Sequence, residues 1–63
     1  MTIECEIDVH SENENQAEYV EVSVYGRIIG GYDTMDAALR SLAGYLVRSY
    51  PSLPHTLKVN LIS

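Results

Sequence analysis

The segment from Tyr32 to Tyr50 constrains this chain more than any other, because its apolar residues repeat with the period of a helix and fit no strand. Met35, Ala38, Leu39, Leu42, Ala43, Leu46, Val47 and Tyr50 recur at spacings of three and four, which places them on one side of a helix. Asp33 or Thr34 can cap the free amides of the first turn, Asp36 puts a carboxylate at the positive helix end, and Pro51 stops the helix. The far side carries Ala37, Arg40, Ser41, Gly44 and Arg48. Such a helix needs an apolar surface to lie on, and the remaining segments read as the sheet that supplies it.

Residues 2 to 10 alternate strictly: Ile3, Cys5, Ile7 and Val9 point one way, and Thr2, Glu4, Glu6, Asp8 and His10 the other. This is the pattern of a half-buried strand with an acidic outer face. The polar run Ser11 to Gln16 reads as a hairpin loop. Alternation resumes with Val20, Val22, Val24 and Ile28 inward and Tyr19, Glu21, Ser23, Tyr25 and Arg27 outward. Gly26 interrupts it, either as a bulge in one long strand or as part of a tight turn folding Ile28 and Ile29 back on Val22 to Val24. The bulged strand is preferred, because inward positions keep their parity across Gly26. Gly30 and Gly31 then loosen the chain before the helix cap. After the helix, Pro51 to His55 forms a loop, and Leu57, Val59 and Leu61 alternate with Lys58, Asn60 and Ile62 in a last strand.

The expected fold is therefore a single α+β domain over residues 1–63, ordered β-β-α-β, with a three-stranded, mostly antiparallel sheet and one helix on one face. Right-handed crossover places the last strand beside the first or the second and parallel to the second. Beside the first is favoured, which makes the acidic first strand central and the long second strand an edge.

At 63 residues, a domain buries only about 60% of the surface its unfolded chain exposes, so a dimer or partner surface would add stability. The composition, 46% hydrophobic and 21% charged, is that of a globular chain. One cysteine excludes an internal disulfide, no apolar run approaches the roughly 20 residues of a membrane span, and the first residues lack a signal-peptide pattern. The expectation is a cytoplasmic protein.

Charge placement says more than the net −5. Glu4, Glu6, Asp8, Glu12, Glu14, Glu18 and Glu21 all precede the first base, Arg27; only Asp33 and Asp36 follow. Direct binding to nucleic acid or to an anionic membrane is disfavoured, and a basic protein partner is favoured. On a strand, Glu4, Glu6 and Asp8 project to one side about 7 Å apart, close to the ~7 Å between successive phosphates of an extended nucleic-acid strand. Together with Glu12, Glu14, Glu18, Tyr19, Glu21 and Tyr25 they form the candidate partner-binding surface, since aromatics among charges anchor interfaces. The competing reading is a solvated face that keeps the domain soluble.

No catalytic constellation is present, and the chain is read as a non-enzyme without cofactor or metal. The 11–16 loop lacks the glycine and terminal bidentate Glu of a calcium loop. His10 and His55, at the end of the first strand and the start of the last, are placed to be neighbours, yet no Cys or His pair has metal-ligand spacing. Cys5 sits among inward residues, where a thiol is packing rather than a nucleophile. The small residues Ala37, Ser41 and Gly44 form a candidate helix stripe for homodimer contact, because a glycine inside a helix costs about 1 kcal/mol relative to alanine.

Two runs carry resemblances. Tyr25-Gly26-Arg27 followed by Gly31-Tyr32-Asp33-Thr34 resembles the hybrid-binding domain of RNases H over about ten residues. Met35 stands where that domain has Trp, and its basic surface is missing, so the function is rejected. The order of elements, the acidic first third and Thr34-Met35-Asp36-Ala37-Ala38-Leu39 at the helix start are similar to the small T7-group phage inhibitor of bacterial RNA polymerase. This chain has a longer second strand and lacks that family's basic C-terminal tail. In size, acidity and lack of catalytic residues it also looks like anti-CRISPR proteins. These resemblances imply a non-enzymatic inhibitor from a phage or mobile element, its acidic strand face blocking a basic nucleic-acid groove of a host protein such as a CRISPR effector, another defence complex or RNA polymerase. The alternative is a homodimeric interaction module of antitoxin-like character, joined by an edge strand or the helix stripe.

Overall fold

A computed structural model describes residues 1–10 and 19–62. The elements are β1 (Ile3–His10), β2 (Tyr19–Val24), β3 (Arg27–Tyr32), α1 (Met35–Ser49) and β4 (His55–Ile62). They form an α+β domain with one helix on a four-stranded mixed sheet of order β3-β2-β1-β4. The additional strand corrects the three-stranded expectation, and its origin is local. Tyr25 and Gly26 both take positive φ, 53° and 78°, the backbone signature of a two-residue hairpin turn that matches strand twist. The chain therefore turns back at Gly26 instead of bulging through it. The parity that favoured one long strand is lost further on, where the register shifts between Val22 and Ser23: Val22 faces Gly30 and Ser23 faces Ile28. Ile29 is the extra residue and packs against the core, while Ile28 is exposed on the other face.

That turn also sets the direction of the last strand. β4 does lie beside β1, and β1 is central, but β4 runs parallel to β1 rather than to β2. The extra strand reverses the chain once more before the helix, so the crossover starts from β3 and passes over β2 and β1. β2 is consequently internal, and β3 takes its place on the edge.

The helix begins where the sequence indicates. Thr34 is extended, and its side chain accepts from the Ala37 amide at 3.1 Å, satisfying one of the first-turn donors. Tyr50 ends the helix through its amide to the Leu46 carbonyl, 2.8 Å, one residue before Pro51. Ala38, Leu42 and Leu46 are buried against Ile3, Cys5, Ile7, Val9, Val20, Val22 and Val24. Met35, Tyr45 and Tyr50 pack at the margin of this core.

Gly30 and Gly31 lie within β3 rather than in a loop before the cap. They clear space for rings: a Cβ on Gly30 would collide with Tyr32, and one on Gly31 with Tyr19. The two rings cover opposite faces of β3, and the Tyr32 hydroxyl hydrogen-bonds Ser41 Oγ on α1. Ser41 is thereby turned toward β3, and the helix is rotated relative to the sequence reading. Leu39, Ala43 and Val47, on the expected apolar face, are exposed on the side away from β3.

Candidate functional site

With the helix on one face of the sheet, no other described element covers the opposite face, and β-strand alternation decides which side chains it carries. The registers Glu6↔Ser23, Asp8↔Glu21 and His10↔Tyr19 across β2, and Glu6↔Lys58 and Asp8↔Asn60 across β4, bring these residues onto it. Glu6, Asp8 and Glu21 are half-buried and Glu4 is exposed.

Asn60 organises the centre. Its Nδ2 donates to Glu6 Oε2 at 2.9 Å and to Asp8 Oδ1 at 2.8 Å, so one amide holds two carboxylates on adjacent positions of the face. On the other side of β1, His10 Nε2 donates to Glu21 Oε1 at 3.0 Å, and its ring lies 5.9 Å from that of Tyr19. Tyr19 in turn lies over Gly31. Asp8 and Glu21 remain directly opposite each other, an arrangement of like charges that costs stability in a sheet. Neither Asn60 nor the His10–Glu21 contact was singled out from sequence; both depend on strand register.

The other candidate residues are distributed differently. Tyr25 belongs to the turn: its hydroxyl donates to the Thr2 carbonyl at 3.2 Å and its ring meets Tyr50 edge-on at 6.5 Å. It marks the end of the sheet below Glu4 rather than the acidic centre. Desolvation raises its phenol pKa, with Tyr50, Glu4 and Cys5 adding to the rise. Glu12, Glu14 and Glu18 lie outside the described residues. Of the helix stripe, Ala37 is exposed, Ser41 is engaged by Tyr32, and Gly44 is half-buried beneath the Arg48 guanidinium.

His10 and His55 are not neighbours. In the parallel β1–β4 ladder His55 pairs with Ile3 and His10 with Ile62, at opposite ends. The antiparallel arrangement expected from sequence would have joined them. Cys5 is buried, and burial pushes its thiol pKa up, which disfavours the reactive thiolate. Among the described residues no group of His, Cys, Asp and Glu is placed to hold a metal ion, and no helix is long and apolar enough to cross a membrane.

The fold and this face together define a small α+β domain presenting an acidic sheet surface that no other described element covers. The chain matches no protein-family model, no curated protein and no solved structure, so the reading of its function rests on the face itself.

Proposed function

We propose that this protein is a non-enzymatic inhibitor, encoded by a phage or mobile element, that docks its acidic sheet face on a basic groove of a host protein that handles nucleic acid. The observation that carries the reading is the Asp8–Glu21 pair, with Glu6 held alongside by Asn60 on a face no other described element covers. Carboxylates placed opposite one another weaken a free domain, and a basic partner converts that cost into binding energy. Tyr19, exposed beside them and backed by Gly31, supplies an aromatic anchor of low conformational freedom.

The test is affinity capture from a bacterial lysate, comparing the wild type with a Glu4→Lys, Glu6→Lys, Asp8→Lys variant whose far-UV circular dichroism matches it. The expected result is a nucleic-acid-handling protein held by the wild type alone, displaced by added DNA or RNA and released as salt rises, because exposed charge pairs are screened over about 8 to 10 Å. Equal retention by both proteins would make the acidic face a solubility feature and end this reading.

A further inference from the structure

The helix side of the sheet is not fully covered. Four strands span about 14 Å between outer axes, and a helix with its side chains is about 10 Å across, so one helix leaves one flank bare. Here the bare flank is β4. Leu57, Val59 and Leu61 share the helix-side face with Cys5, Ile7 and Val9, yet they are 42%, 48% and 84% exposed. Exposed Leu39, Ala43 and Val47 line the near side of α1, and an open groove runs from Ala43 and Val47 to Leu53 and His55.

The two sheet edges also differ. β3 is blunted by its bulge at Ile29 and by the Tyr19 and Tyr32 rings over its glycines. β4 is paired over eight residues on one side; its free side has neither a proline nor a bulge, and Lys58 is the one edge-guarding charge the strand carries.

We propose that a second copy of this chain binds along β4, antiparallel, to make a continuous eight-stranded sheet with both helices on one side. Strand chemistry selects the register. Residues directly opposite in a sheet share a face, so matching helix sides requires that odd positions face odd ones. Placing Lys58 on the two-fold axis would set two cations against each other. Placing Val59 there avoids this, pairs Leu57 with Leu61 of the second copy, and sets Lys58 against Asn60. The axis at Asn60 would shorten the overlap.

Charge does not oppose self-pairing at this seam, and the Val59-centred register keeps the two Lys58 side chains apart. The chain carries −5, yet no Asp or Glu follows Asp36, so two copies meeting along β4 bring no carboxylates of that strand together. The pairing would also set two acidic β1 strands about 14 Å apart, three strand spacings, on the opposite face. The inference does not depend on what that face binds.

Sedimentation equilibrium of the full chain tests it. The expected mass is twice 7.0 kDa. Val59→Glu, which sets two carboxylates on the axis, should raise the dimer dissociation constant at least about 100-fold while leaving far-UV circular dichroism unchanged. Disulfide trapping provides a readout that does not rely on that variant folding. In a Cys5→Ser background, Val59→Cys should oxidise to a linked dimer, since facing Cα atoms lie about 4.5–5.5 Å apart, while Lys58→Cys should not, its counterpart being beyond about 7 Å. A wild type of 7.0 kDa at every concentration, a Val59→Glu dimer as tight as wild type, or more efficient trapping through Lys58→Cys would each overturn the proposal.

Discussion

Gly44 shows how a residue's surroundings decide the value of a substitution. It costs the helix about 1 kcal/mol relative to alanine, and a Cβ there would meet only the Arg48 guanidinium, nearest at Nη1, 3.2 Å, the free end of a flexible side chain. Gly44→Ala should therefore stabilise the domain by roughly 0.5–1 kcal/mol, read as a higher urea midpoint with an unchanged slope. Cys5 illustrates the opposite case, a group whose burial has a chemical consequence. Its folded pKa is raised above the ordinary thiol value of 9.0 by desolvation. Above pH 9.0 the unfolded chain loses the thiol proton while the folded chain keeps it, so the unfolded state binds fewer protons and stability falls as pH rises. The Cys5 contribution is present below that pH and lost above it. Cys5→Ala should show a shallower alkaline decline in urea titrations, and the native thiol should react with an alkylating reagent only as fast as the chain opens.

At the level of elements, β4 holds the acidic face of β1 together through one side chain. Asn60→Asp would remove the donor to Glu6 and Asp8 and add a third carboxylate beside them. A loss of about 1–3 kcal/mol at neutral pH is expected, shrinking as acid protonates the cluster; urea titrations at neutral and acidic pH check both parts. How far the elements could be read from sequence varied for physical reasons. The helix was legible because capping and period are local: Thr34, Pro51 and the Ala38, Leu42, Leu46 series all hold. The second hairpin was not, because its turn is Tyr25-Gly26, without the Asn or Asp that marks left-handed residues at the first turn position. The bulge at Ile29 then exchanged the faces of Ile28 and Ile29. Missing one reversal also inverted the sense of β4 and wrongly united His10 with His55.

For the molecule as a whole, two surfaces with different chemistry lie on opposite sides of one sheet. The acidic face combines carboxylates with Tyr19, and the β4 flank combines an open edge with Leu57, Val59 and Leu61. If both act as proposed, they separate experimentally. Charge reversal at Glu4, Glu6 and Asp8 should abolish partner capture without changing mass in sedimentation, and Val59→Glu should change mass while a monomer still captures partner more weakly through one acidic strand. The candidate site was partly legible: alternation alone put Glu4, Glu6, Asp8, Tyr19 and Glu21 outward. Alternation put His10 outward too, but its contact to Glu21 and the Asn60 bridge to Glu6 and Asp8 arose only through pairing with strands distant in sequence.

Local order in the chain determined the helix, its caps, the alternating strands and the segregation of charge, because each depends on residues a few positions apart. The tertiary structure decided the number and sense of the strands, the carboxylate partners and the bare flank of β4. Those follow from register and from how much of a sheet one helix can cover, and neither quantity exists until distant segments meet.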